Sequence, residues 1–203
     1  MAAADESHRR IASDADATGI SICLPDVSHG GHLWQIARDS AALDVNSSYA
    51  YLLWCHDFAA TSAVALEGER AVGFVTGYLR PDAPDTLMVW QVAVDSSQRG
   101  RGLAGRMLHH LLDRLAQRGV RWLHTTISPD NEASIRLFKA VARDRGTGIE
   151  RRDLFAAHHF PAEDAAGNGH QAEDLYVIGP LLGRPELSDQ ATSTTDLTCT
   201  EQQ

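Results

Sequence analysis

Three glycines and two arginines lie close together near the middle of the chain, in the segment Arg99-Gly100-Arg101-Gly102-Leu103-Ala104-Gly105. Glycine lets a backbone approach a ligand closely, because it lacks a Cβ and adopts positive φ freely. Unpaired N–H groups at the start of a helix attract phosphate oxygens, and arginine adds charge-assisted hydrogen bonds. The segment therefore predicts a site for a phosphate-bearing ligand. A glycine-rich turn that binds nothing is the alternative.

Two phosphate-binding patterns fit these residues. Gly100-x-Gly102-x-x-Gly105 matches the dinucleotide fingerprint, which belongs after the first strand of a βαβ unit and has an acid at the end of the second strand. Here a predicted hairpin comes first, and the second strand ends in residues 124–126, His-Thr-Thr, without an acid. The other pattern is Arg99-x-x-Gly102-x-Ala104, directly after the apolar strand that ends Val-Ala-Val at 92–94. The context favours this second pattern.

Hydrophobic periodicity predicts the elements that position this segment, in the order β-α-α-β-β-β-α-β-α-β-β. The predicted strands are 20–25, a 62–79 hairpin turning at Gly68, 86–94, 120–127, 147–155 and 174–181, and the predicted helices are 32–40, 47–58, 102–119 and 132–143. The strand–helix–strand unit over 86–127 predicts a parallel pair, and 62–94 predicts antiparallel pairing. The segment 80–85 is predicted as a loop. The long loop over 156–173 has the length of a functional lid.

Composition narrows the class of protein. The chain has 203 residues, 43% of them hydrophobic, and a formal net charge of −9, which is typical of one acidic globular domain and excludes a nucleic-acid backbone as partner. The polar segments 1–19 and 183–203 predict disordered tails around a domain at 20–182. No apolar run approaches the ~18 residues of a membrane span, and no secretory signal is expected. Three cysteines without metal-ligand spacing predict no metal and a reducing cytoplasm.

The second pattern resembles the pyrophosphate signature of the Gcn5-related N-acetyltransferase (GNAT) superfamily. The element order and the helix start Asn131-x-x-Ser134-x-x-Leu137-Phe138 are similar to that superfamily as well. The resemblance implies an α/β (α+β) fold with a mixed, mostly antiparallel sheet, a splayed parallel pair and flanking helices. It also implies acetyl-CoA as co-substrate. The residues expected to contact acetyl-CoA are Val92, Val94, Arg99, Gly100, Arg101, Gly102, Ala104, Gly105 and Asn131, of which Arg101 is included because of its positive charge.

Longer stretches at 43–58, 84–94 and 125–131 resemble the L-2,4-diaminobutyrate acetyltransferases of ectoine biosynthesis, and this resemblance covers nearly all of 20–182. It implies transfer of acetyl from acetyl-CoA to the γ-amine of L-2,4-diaminobutyrate by direct attack. Because superfamily members often form dimers, a homodimer is expected. A transferase for another diamine or amino acid, or a non-enzymatic acyl-CoA-binding module, is the alternative. The tyrosine that commonly protonates the leaving thiolate falls on Phe138, which has no proton to give.

A substrate with two ammonium groups requires acids in its site. The resemblance favours Asp44 and Glu173 for that role, although a helix cap and a solvated strand end are the structural alternatives. Trp90 is expected to wall the pocket or to contact an ammonium through its ring, and Tyr49 to hydrogen-bond the substrate, with core packing as the alternative for both. Cys55 is expected to pack rather than attack. The sequence does not identify a catalytic base.

Overall fold

The computed structural model describes residues 18–40, 43–161 and 169–181, and within them one seven-stranded mixed sheet has the order β1-β2-β3-β4-β5-β7-β6. The strands are β1 (Ile20–Cys23), β2 (Ala63–Glu67), β3 (Arg70–Arg80), β4 (Ala83–Val94), β5 (Trp122–Ile127), β6 (Gly148–Phe155) and β7 (Glu173–Gly179). The helices are α1 (Gly30–Asp39), α2 (Ser48–His56), α3 (Leu103–Ala116) and α4 (Glu132–Asp144). Short 3-10 helices span Val27–His29, Ala59–Thr61, Ser96–Gln98 and Ala157–His159. None of these helices is long and apolar enough to cross a membrane.

The predicted order and types of the elements are confirmed, but the loop predicted over 80–85 is wrong. β3 extends to Arg80, β4 begins at Ala83, and the two residues pair across a tight turn. The Arg80 guanidinium closes this turn on the Asp82 carboxylate at 3.2 Å. Pairing with β3 therefore overrides the low strand propensity of the Pro/Asp segment. The structure does not describe the predicted tails, except for residues 18 and 19. Residues 162–168 of the predicted lid also lie outside the described residues.

Two cores hold the helices on opposite faces of the sheet. α3 and α4 pack on one face, and α1 and α2 on the other, against Phe74 and Ala93. Removing each large apolar side chain from water stabilises the fold by about 1.5–3 kcal/mol. The three- and four-residue spacing of apolar residues in α3 predicts one buried face for this helix, and five of the six residues of that face are buried, namely Met107, Leu108, Leu111, Leu112 and Leu115, whereas Ala104 is half-buried.

The parallel pair opens partway along its length. β4 pairs with β5 from Thr86↔Trp122 to Val89↔Thr125, and the pairing stops there. β4 nevertheless continues to Val94 and remains bonded to β3 on its other side. The edge of β4 beyond Val89 therefore faces a gap rather than a neighbouring strand, as the predicted splayed pair requires.

A β-bulge lies at the point where the strands separate. Thr76 of β3 pairs with Gln91, and Gly77 pairs with Val89, so Trp90 is an extra residue on β4. Bulges re-aim side chains, and both Trp90 and Gln91 contact residues of α2. The bulge therefore presents two consecutive side chains on one face of the sheet.

Gly77 permits the close backbone approach that the bulge requires. A Cβ at this position would lie 2.8 Å from the Met88 carbonyl oxygen and 3.2 Å from that of Thr61. We expect Gly77→Ala to lower the free energy of unfolding by about 1–3 kcal/mol, because backbone atoms cannot move aside cheaply. Urea denaturation measures the change.

Gly31→Ala is the matched control, since Gly31 lies in α1 with nothing within 4 Å of its would-be Cβ. This change should stabilise the protein by up to about 1 kcal/mol through helix propensity. Equal effects of the two substitutions would contradict the close-approach argument.

Candidate active site

The predicted phosphate loop connects the free end of β4 to the start of α3. Gly100 and Gly102 have φ of +74° and +70°, a conformation that residues with a Cβ rarely adopt, and Gly102 immediately precedes the helix. The first N–H groups of an α-helix have no intrahelical partner, and the helix dipole makes that end positive. The loop therefore places unpaired donors and positive potential beside the gap in the sheet.

A groove of about 440 Å³ runs between this loop, the free part of β4 and the beginning of α4. Eight of the nine predicted cofactor-binding residues line it: Val92, Val94, Arg99, Gly100, Gly102, Ala104, Gly105 and Asn131. The ninth, Arg101, is not among the lining residues, and its guanidinium donates to the Gln98 side-chain oxygen. The fold thus brings these eight residues, which lie between positions 92 and 131, together around one groove.

Two groove residues are held by the surrounding backbone. Arg99 donates from Nε to the Val94 carbonyl at 3.3 Å and from Nη2 to the Ser40 carbonyl at 3.5 Å, which fixes its guanidinium at the end of the groove. Asn131 caps α4, because its Oδ1 accepts from the Ser134 N–H at 3.0 Å. Asparagine is one of the residues preferred at this capping position.

A second chamber of about 360 Å³ adjoins the groove and shares four lining residues with it: Leu43, Val92, Asn131 and Ser134. Three of the four predicted substrate residues, Asp44, Trp90 and Glu173, line this chamber. Tyr49 lies outside the lining, on α2, and is 66% exposed. The rest of the wall includes the aromatic side chains of Phe138, Phe155, Phe160 and His170.

The chamber contains an acid that is open to solvent and paired with a histidine. The Asp44 side chain is 83% exposed, and its Oδ2 lies 3.1 Å from His170 Nε2. The His170 ring stacks on Phe160 at 3.8 Å between centroids. The carbonyl of Gln171 and the carboxylate of Asp44 raise the pKa of His170 above the usual histidine value. The protonated form of His170 is therefore favoured beside Asp44.

Glu173, in contrast, is half-buried at the start of β7. Burial raises the pKa of its carboxyl above the usual glutamate value, although a hydrogen bond with Thr126 and the nearby His170 act in the opposite direction. The two carboxylates of the chamber thus differ in exposure, and burial favours the protonated form of Glu173. This difference is what proton-transfer chemistry requires of a general base working near neutral pH.

The comparisons with known proteins agree with this geometry. The family model described as "Acetyltransferase (GNAT) family" matches residues 31–142. This chain belongs to the GNAT acetyltransferase family. An L-2,4-diaminobutyric acid acetyltransferase of Streptomyces coelicolor is 57% identical over 164 residues, which cover 80% of this chain and 94% of that protein. One from Nocardia farcinica is 54% identical over 157 residues, covering 77% and 78%.

A solved structure is also similar to this acetyltransferase. The diaminobutyrate acetyltransferase EctA from Paenibacillus lautus, in complex with L-2,4-diaminobutyric acid and coenzyme A, superposes with a TM-score of 0.74. It is 38% identical in sequence, and the match covers 80% of this chain and 96% of that one. The predicted fold class and family are therefore confirmed.

Two residues of the acetyltransferase site were given no function from the sequence. Gln91 is buried between the strand and the helices, and an isolated glutamine in an apolar strand carries no motif. The spacing of three residues between His170 and Glu173 was a weak indication that His170 belongs to the site. Its contact with Asp44 could not be seen in the sequence, because the two positions are 126 residues apart. Only the folded chain brings these groups together.

Cys55 takes no part in the chemistry of this site. It is 2% exposed within the α1–α2 core, and burial, reinforced by Asp26, raises the pKa of its thiol to about 12. A thiol with that pKa remains protonated and is a poor nucleophile at neutral pH. The packing role expected of Cys55 is confirmed. Among the described residues no group of three or more potential metal ligands occurs.

The Asp44–His170 pair has a measurable electrostatic signature. We expect Asp44→Asn to lower the pKa of His170, because the substitution removes the anion that stabilises the imidazolium. NMR titration of the His170 ring protons measures this shift. Asp57→Asn, which removes the carboxylate 2.6 Å from the exposed His56, is the control and should leave the His170 titration unchanged. An unaltered His170 pKa in Asp44→Asn would show that the pair does not form in solution.

Proposed function

We propose that this acetyltransferase moves acetyl from acetyl-CoA to the γ-amine of L-2,4-diaminobutyrate, and so makes N-γ-acetyl-L-2,4-diaminobutyrate for ectoine biosynthesis. The observation that carries the proposal is the chamber with Asp44 and Glu173, which opens directly onto the groove. Two acids suit a substrate with two ammonium groups. The relatives from Streptomyces coelicolor and Nocardia farcinica and the Paenibacillus lautus structure support the same substrate.

The groove fits coenzyme A by its own chemistry. The free edge of β4 offers backbone groups to an extended amide-bearing arm, and the start of α3 offers donors to a pyrophosphate. Arg99 adds a fixed positive charge at the same end. When bound, acetyl-CoA supplies the activated acetyl thioester. The chain then has to hold the amine beside it and manage the amine's proton.

Deprotonation of the substrate is the main chemical obstacle. An alkyl ammonium with a pKa near ~10 costs about 4 kcal/mol to deprotonate at pH 7. Glu173 is suited to accept this proton, because its partial burial raises the pKa of its carboxyl towards that of the amine. The free amine then attacks the thioester carbonyl directly, since Cys55 is not available to form a covalent acyl-enzyme. The C–S bond breaks, coenzyme A leaves as its thiolate, and the proton that the new amide nitrogen loses balances the one that the thiolate takes up.

The remaining chamber residues orient the substrate. Asp44 lies at the exposed side of the chamber, where it can hold the α-ammonium, and the Trp90 ring forms a wall that accepts a cation on its face. Orientation of amine and thioester contributes much of the rate enhancement in such reactions. Phe138 is 2% exposed in the chamber wall and offers no proton to the leaving thiolate.

Turnover with a panel of amines tests the function. Thiol release from acetyl-CoA should be fastest with L-2,4-diaminobutyrate and much slower with ornithine, lysine and putrescine. NMR of the product should place the acetyl group on the γ-nitrogen. Acetylation of the α-nitrogen, faster turnover of another diamine, or acetyl-CoA binding without release above background would each contradict the proposal.

Glu173→Gln tests the proton acceptor. We expect kcat to fall by roughly 10²- to 10⁴-fold, the usual contribution of a general base, because an amide cannot accept the ammonium proton. In the wild type, the rise of kcat/KM with pH should include ionisation of a carboxyl whose pKa lies above the usual glutamate value, and the variant should lack that step.

Glu150→Gln on β6 is the matched control, since Glu150 is exposed and paired with Arg152 outside the chamber. It should retain the wild-type pH profile. A Glu173→Gln variant with near-normal kcat would remove Glu173 from the role of base.

We also propose a cytoplasmic homodimer that acts during osmotic stress. Exposed apolar side chains on α2, namely Tyr49, Leu52 and Leu53 at 66%, 40% and 37%, support a protein contact on that helix. Cys55 is a buried thiol that forms no disulfide, as in a reducing compartment. Sedimentation equilibrium at micromolar concentration tests the dimer, and a monomer would contradict it.

A further inference from the structure

The Asp44 carboxylate is carried by a connecting segment rather than by a helix or strand. Asp44 lies between α1 and α2, and its side chain is 83% exposed and contacts His170, so packing does little to fix the backbone that carries it. A binding group must be held within a fraction of an ångström to be effective. The structure must therefore hold the backbone of this segment from elsewhere.

Gln91 provides that hold. It is 5% exposed, and its Nε2 donates to the Asp44 carbonyl at 3.0 Å. Its Oε1 accepts from the Tyr51 hydroxyl at 3.1 Å, and Tyr51 is 1% exposed. Because a carbonyl only accepts, the amide nitrogen must point to Asp44 and the oxygen to Tyr51. Tyr51 thus completes the hydrogen bonding of the buried amide and fixes its direction.

The position of Gln91 on β4 gives this contact its importance. Gln91 lines the chamber itself, between Trp90, which lines the chamber, and Val92, which lines both chamber and groove. The bulge at Trp90 turns Gln91 towards α2 and the Asp44 segment. One strand therefore carries the wall of the cofactor groove, the wall of the chamber and the tether of the substrate-binding carboxylate.

We propose that Gln91 is a positioning residue that sets the Asp44 carboxylate at the chamber, with Tyr51 orienting its amide. The expected effect on KM rests on the proposed function, whereas the hydrogen bond from Gln91 to the Asp44 segment does not. Loss of the tether frees the segment and weakens binding of the diamine. It leaves the β4 backbone, and with it the cofactor groove, unchanged.

Gln91→Met keeps the length of the side chain and removes both hydrogen bonds. We expect KM for L-2,4-diaminobutyrate to rise about tenfold, the equivalent of one buried hydrogen bond, while KM for acetyl-CoA changes little. Tyr51→Phe leaves the bond to Asp44 intact and should raise the same KM by a smaller factor. It also serves as the test if Gln91→Met fails to fold.

Thr76→Val is the matched control. Thr76 is the β3 residue that pairs with Gln91, and its buried hydroxyl has no hydrogen-bond partner among the residues that the structure describes. Valine has nearly the same shape, so this variant should retain both KM values. If Thr76→Val raises KM for the diamine as much as Gln91→Met does, loss of any polar group at this position in the sheet is sufficient to weaken diamine binding. The proposal that Gln91 acts through its bond to Asp44 is then wrong.

Hydrogen exchange separates the tether from the function. The backbone amides of residues 43–47 should exchange faster in Gln91→Met than in the wild type and in Thr76→Val, whatever substrate the enzyme uses. Unchanged exchange, or equal increases of both KM values, would overturn the proposal. Faster exchange in a protein that does not acetylate L-2,4-diaminobutyrate would confirm the tether and refute the proposed function instead.

Discussion

The parallel pairing between β4 and β5 stops at Val89 and Thr125 while β4 continues to Val94, and the site depends on that interruption. A sheet normally satisfies every backbone group of an inner strand through its neighbours. Here one edge of β4 is released in the middle of the sheet without loss of the strand, because β3 still holds its other edge. The groove and the chamber are the space that this opening creates, and they meet at Val92.

The opening brings opposite charges close together without cancelling them. At one end, the glycine loop, the start of α3 and Arg99 form a positive site suited to phosphates. At the other end, Asp44 and Glu173 make the chamber negative. The formal net charge of −9 does not reveal this separation, because the local potential of the site depends on where the fold places a few charged groups rather than on their sum. The two acids differ in turn through burial, and the roles proposed for them, ammonium binding at Asp44 and proton transfer at Glu173, follow that difference.

The sequence predicted the parts of the site that depend on local chemistry. Glycines that adopt positive φ, the helix start that follows them and the Asn131 motif are each recognised within a few residues, and the structure places each of them in the groove or at its edge. Arg101 was also predicted to line the groove, but its guanidinium donates to Gln98 in the preceding turn, and this contact could not be predicted from the charge of Arg101 alone. The strand at 83–85 was missed for a similar reason, because β3 supplies the pairing that the Pro/Asp sequence does not encourage.

The residues that organise the substrate segment could not be found in this way. Ser40, at the start of the segment between α1 and α2, and Asp44, in the middle of it, accept hydrogen bonds through their carbonyls from Arg99 and Gln91. A main-chain carbonyl exists at every position, so no residue pattern marks the ones that will be used. Gln91 lies within the released part of β4, and Arg99 lies in the loop that follows this strand. The strand that exposes its edge to the groove therefore also holds the segment that carries Asp44. With Asp44 in its proposed role as partner of the substrate's ammonium group, one structural element aligns both halves of the reaction.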